Sequence, residues 1–93
     1  MHRLAIEDDD LWPVIPSEIV AETLADPSIS ADVFSTVVAL TVSICENPWL
    51  LGSGQASMDP DLREILIPKG HGIAEYRSDR KHQRVLLTRL VLF

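Results

Sequence analysis

The chain is poor in cysteine, in long apolar runs and, over its first half, in basic residues. Its 93 residues include one cysteine, Cys45. A single thiol cannot close an intramolecular disulfide, and such thiol usage suits a reducing compartment, so a cytoplasmic setting is expected. Cys45, His2, His71 and His82 lack the paired spacing of a zinc site, so no metal is expected. Nothing in the sequence asks for a cofactor. No apolar stretch approaches the roughly 20 residues that span a bilayer, which argues against a membrane partner. The opening, MHRLAIEDDD, is acidic where a secretory leader is basic and then apolar. Asp8-Asp9-Asp10 lacks the spaced ligands and glycine turn of a calcium loop and reads as a solvated turn. Gly52-Ser53-Gly54 is too short for a phosphate cradle.

The charge that is present is uneven. The formal net charge is −6. Residues 1–48 hold nine acids against one base, Arg3, while residues 49–93 hold seven bases against five acids. An acidic total argues against loose, phosphate-driven nucleic-acid binding, which needs several cationic contacts. The C-terminal half can still present a basic patch. Nearly half the residues are hydrophobic (46%), enough for a core, and the length suits one domain over residues 1–93.

The C-terminal third reads as three strands. Leu62 to Ile67 is closed by Pro68-Lys69-Gly70, about Gly72 to Ser78 by Asp79-Arg80-Lys81-His82, and Arg84 to Phe93 follows. β-rich runs divided by such turns predict an antiparallel meander. The last run is apolar on both parities, with Val85, Leu87, Val91 and Phe93 on one and Leu86, Leu90 and Leu92 on the other. Side chains alternate faces along a strand, so this strand is expected to be central or to end inside an interface.

Upstream, His2 to Glu7 alternates and predicts a short strand, and Leu11 to Pro16 reads as a stiff apolar connector with Trp12 covering a core edge. Ser17 is placed to cap a helix that Pro27 ends near Asp26. Ser28 or Ser30 caps a second helix, Ala31 to Glu46, stopped by Asn47-Pro48. Phe34, Val38, Thr41 and Cys45 form one stripe of it, and Val33, Val37, Leu40 and Ile44 the adjacent one. Cys45 reads as a buried small hydrophobe, and Gly52 to Ser57 as a flexible loop. The expected class is therefore α+β, with an N-terminal strand, a helical hairpin and a three-stranded antiparallel meander.

That order, together with Glu46-Asn47-Pro48, Leu62-Arg63-Glu64-Ile65, Tyr76-Arg77-Ser78-Asp79 and Leu87-Thr88-Arg89-Leu90-Val91, resembles the RelE/ParE superfamily of bacterial type II toxins. The likeness is carried by residues 46–93. It implies a toxin bound by a cognate antitoxin, acting on ribosome-associated mRNA in the nuclease branch or on gyrase in the ParE branch. The nuclease branch cleaves RNA through the 2′-hydroxyl, which needs a base, a cation on the phosphate and an acid for the leaving oxygen. The family's key arginine falls at Ile73, and its basic tail would follow Phe93. Glu64 and Leu66 stand where basic residues are expected. The standard nuclease set is thus largely missing, which favours a divergent member working through protein contacts. The alternatives are an endoribonuclease with an altered site and a non-toxic interaction or oligomerisation domain.

For an altered site the candidate catalytic residues are His71, Arg63 and Arg77, since histidine is the side chain suited to proton transfer near neutral pH. The candidate binding residues are Lys69, Tyr76, Arg80, Lys81, Arg84 and Arg89. Tyr76 is expected to be half-buried in the sheet, and Arg77 and Arg89 to pair across strands with Glu64 and Glu75 at about 0–1 kcal/mol each. A homodimer or a stable complex is expected at the exposed sheet face or the C-terminal edge, because the hairpin can cover only one face.

Overall fold

The computed structural model describes residues 11–49, 53–55 and 58–93. Two helices pack on one face of a five-stranded mixed sheet. In chain order these are β1 (Val14–Pro16), α1 (Glu18–Ala25), α2 (Ala31–Glu46), β2 (Gly54–Gln55), β3 (Leu62–Ile67), β4 (Gly72–Asp79) and β5 (Arg84–Leu92). Across the sheet the order is β1-β5-β4-β3-β2. Strands β3, β4 and β5 form the expected antiparallel meander, and β1 runs parallel to β5. The expected strand at His2 to Glu7 lies outside the described residues.

The helices begin and end on local chemistry. The Ser17 hydroxyl accepts the Val20 N–H at 3.2 Å, and the Ser30 hydroxyl accepts the Val33 N–H at 3.1 Å. Each serine satisfies one of the backbone donors that a helix start leaves unpaired. Pro27 follows α1, and the Asp26 carboxylate turns the chain by accepting the Ser28 N–H at 2.8 Å. Asn47 closes α2, and its side chain accepts the Trp49 N–H at 3.1 Å.

Two expectations about the strands need correction. Leu11 to Pro16 is not only a connector, because Val14–Pro16 pairs in parallel with Val85 to Leu87. The Val85 N–H donates to the Pro13 carbonyl at 2.8 Å, and the Ser17 N–H to the Leu87 carbonyl at 2.9 Å. The segment expected to be a flexible loop contains β2, where Gly54 and Gln55 pair with Glu64 and Arg63. Neither strand is long enough for alternation to reveal it. Both exist because an unpaired backbone edge was available beside them.

The core lies between the helices and the sheet. Val20 of α1 and Val37, Leu40 and Ile44 of α2 meet Ile67, Ala74, Tyr76, Val85 and Leu87 of the sheet. Thus the Val33–Val37–Leu40–Ile44 stripe turns inward, while Phe34 and Val38 stay exposed. Cys45 is only partly buried, because it lies on that outer stripe at the rim of a groove with Leu11 and Val14. Tyr76 is fully buried (0% exposed) rather than half-buried, because its face of β4 is roofed by the helices.

Strand β5 is internal between β1 and β4 over Val85 to Leu87, as expected for a strand apolar on both parities. A bulge explains much of its pattern. Glu75 pairs with Arg89 and Tyr76 with Leu87, so Thr88 is the extra residue. Beyond it the parity switches, and Leu90 joins Val85 and Leu87 on the core side. At the start of β4, Gly72 has φ +146°, and a Cβ there would meet the Val91 carbonyl at 2.0 Å. Only glycine lets β4 and β5 approach this closely.

Candidate functional site

Three regions hold the residues that could carry function. The first is the turn between β3 and β4. Lys69 sits at φ 65° in the 3-10 turn Pro68–Gly70. Its Nζ donates to Asp32 Oδ1 at 2.9 Å, and His71 Nε2 donates to Asp32 Oδ2 at 2.8 Å. Asp32 lies in the first turn of α2, where the helix dipole also favours a carboxylate. The bonds from Lys69 first, and then His71, hold the Asp32 carboxyl below its usual range. Binding through Nε2 leaves the Nδ1 of His71 as the nitrogen that can accept a proton. Sequence reasoning missed Asp32, which lies 39 positions from His71 with no local spacing to link them.

The second region is the opposite end of the sheet, where acids hold most of the arginines. Arg77 bonds Asp59, Arg80 Nε donates to Asp61 at 2.7 Å, and Arg84 Nε donates to Asp79 at 2.9 Å. His82 Nδ1 donates to the same Asp79 carboxylate at 2.9 Å. Arg84 first, with His82 behind it, lowers the Asp79 carboxyl to about 2. The Asp61 backbone N–H, and then Arg77, lower that of Asp59. The Arg80 guanidinium also lies 4.5 Å from the Trp49 ring centre, and Trp49 meets Trp12 edge-on at 5.3 Å. Arg63 is held at the sheet edge by the Ser53 carbonyl at 3.1 Å and the Pro60 carbonyl at 3.3 Å.

The three candidate catalytic residues therefore do not converge. His71 is six residues along β4 from Arg77, about 20 Å at strand rise. Arg63 pairs opposite Tyr76 and shares its core-side face, while Arg77 points to the other face. Of the candidate binding residues, Lys69, Arg80 and Arg84 are tied to carboxylates and Tyr76 is buried. Among the described residues Lys81 and Arg89 make no ion pair. The pairing expected for Arg77 is corrected, since it reaches Asp59 and not Glu64 or Glu75. Arg89 does stand opposite Glu75.

The third region is the sheet face turned away from the helices. Residues opposite one another on neighbouring strands share a face. That register places Ile15, Leu62, Leu66, Ile73, Leu86 and Val91 on this side, together with Glu64, Glu75, Arg77 and Arg89. Leu66 is 69% exposed, and Ile15 and Val91 are also exposed. At its centre is a hollow of about 210 Å³ lined by Glu64, Ile73, Glu75, Arg89 and Val91. Sequence reasoning anticipated an uncovered face but named none of its aliphatic residues except those on β5. Alternation on β3 and β4 was the signal that could have found them.

Among the described residues no group of three or more His, Cys, Asp or Glu could hold a metal ion, and no helix is long and apolar enough to cross a membrane. No family model, curated protein or solved structure matches the chain.

Proposed function

We propose that this chain is a divergent RelE/ParE-like protein that acts through protein contacts and is bound by a cognate antitoxin on its open sheet face. One observation carries the reading. Six aliphatic side chains from four strands face away from the helices, with Leu66 among the most exposed. Exposed apolar patches of this kind mark contact surfaces. Lys69, Arg77, Arg80 and Arg84, four of the cations that could serve RNA, are instead tied to carboxylates at the two ends of the sheet. Two helices on a sheet that contains an antiparallel meander support the reading at the level of fold class. An amphipathic antitoxin segment laid on the face would bury Leu66, Ile73 and Val91.

The test is expression in a bacterial host with and without the small protein encoded beside this one. Growth arrest relieved by that neighbour, with a purified complex that Leu66→Glu disrupts, is the expected result. Unimpaired growth and no complex would leave a non-toxic interaction domain as the better reading.

A second reading has one observation in its favour, the Asp32–His71 pair with Lys69 beside it. A histidine oriented by a carboxylate next to a cation has the components of a proton-transfer site. Ribosome-dependent mRNA cleavage lost in His71→Ala would establish it.

A further inference from the structure

Among the described residues a second surface without a partner is the outer side of α2. Between Asp32 and Glu46 this helix has no charged residue. A surface helix ordinarily turns a charged face to water, and a helix apolar on both sides is one that is buried on both. Here Val37, Leu40 and Ile44 face the core, yet Phe34 (44%), Val38 (43%) and Val42 (54%) are exposed. These three are spaced four apart, so they form one continuous ridge. Two grooves of about 400 Å³ each flank it. One is lined by Thr41, Cys45 and Leu11, the other by Ser35, Ala39 and Ser43 with Pro68.

We propose that this face is occupied by a second copy of the chain, with the two α2 helices packed antiparallel across a two-fold axis near Val38 and Ala39. A ridge beside a groove is self-complementary under two-fold symmetry, because the ridge of each copy can enter the groove of the other. The charges select the same arrangement. The helix is about 24 Å long by its rise per residue. A two-fold axis at its midpoint therefore brings Glu46 of one copy to the Ala31 end of the other. There Lys69 and His71 are held against Asp32 by its carboxylate. Glu46 is exposed and makes no ion pair among the described residues. Lys69 thus meets a free carboxylate, and the opposed helix dipoles are favourably aligned. A parallel pair would set Glu46 against Glu46. The open sheet face lies on the other side of the molecule, so this contact is independent of the antitoxin surface.

Sedimentation over a range of concentrations tests the assignment. The wild-type chain is expected to dimerise at high micromolar concentration. Val38→Glu, at an exposed position, should remain folded by circular dichroism and sediment as a monomer. Glu46→Lys should raise the dissociation constant several-fold, and adding Lys69→Glu to it should recover affinity. A wild-type monomer at high micromolar concentration would overturn the proposal. So would a dimer that survives Val38→Glu but is dissolved by Leu66→Glu, which would move the contact to the sheet face. Failure of the double charge reversal to recover affinity would overturn the antiparallel pairing.

Discussion

Thr88 donates its hydroxyl to the Glu75 carbonyl at 3.1 Å, at the point where the pairing of β4 with β5 skips a residue. The bond anchors the one residue of β5 that has no partner across the strand. It lets Leu87 and Leu90, an odd spacing, both face the core. The Ser17 hydroxyl donates to the Thr88 carbonyl at 3.4 Å, so the bulge is also tied to the start of α1.

Deletion of Thr88 is expected to be tolerated. Without it, Leu87, Arg89 and Leu90 alternate regularly, and Val85, Leu87 and Leu90 keep their face. The loss is the hydrogen bonding of Thr88 to Glu75 and to Ser17, about 1 kcal/mol for each partner. Replacing Leu87 by Ala empties a core position and should cost about 2–5 kcal/mol. Thermal unfolding followed by circular dichroism distinguishes the two. A deletion variant less stable than Leu87→Ala would show that the bulge itself holds the strand in place.

Tyr76→Phe should not destabilise the protein. The Tyr76 hydroxyl is buried and has no hydrogen-bond partner among the described residues. Desolvating such a group costs about 1–3 kcal/mol, so its removal should be neutral or stabilising. Tyr76→Ala should instead cost about 3–5 kcal/mol through the cavity it leaves. Urea denaturation measures both. A marked loss in Tyr76→Phe would mean that the hydroxyl has a partner in solution.

Acid should weaken the far end of the sheet. Asp79 is held at about 2, below the ordinary aspartate value of about 3.9. A carboxyl whose folded value is depressed contributes stability above its unfolded value and loses it as pH falls through the folded one. The melting temperature should therefore fall between about pH 4 and about pH 2. Asp79→Asn should lower it at neutral pH and flatten that part of the profile. An identical acid profile in the variant would remove Asp79 as a cause.

Messenger RNA should not be cut at a rate typical of the nuclease branch. If the proposed RelE/ParE likeness holds, Ile73 stands where the key arginine would be, and His71, Arg63 and Arg77 stand apart. Incubation with translating ribosomes and mapping of message ends is the measurement. Robust cutting abolished by His71→Ala, with the fold intact, would reverse this expectation.

The sequence alone determined the elements whose causes are local. Ser17 and Ser30 cap helices because their hydroxyls reach backbone donors three residues on. Pro27 and Asn47-Pro48 end those helices, and Pro68-Lys69-Gly70 and the polar turn after Asp79 divide the meander. Helical spacing in α2 was legible for the same reason, although which of its stripes faces the core was not. Tertiary structure decided the rest. β1 and β2 are too short to have a period and exist only where a strand edge accepts them. The switch of parity at Thr88 depends on contacts with Glu75 and Ser17, the latter 71 positions away. The candidate site followed the same division. His71, Lys69 and the arginines could be named from residue type, but Asp32, Asp59, Asp61 and Asp79 were matched to them only by folding. An ion pair has no periodicity in sequence. It forms where packing of the apolar residues happens to bring its two ends together.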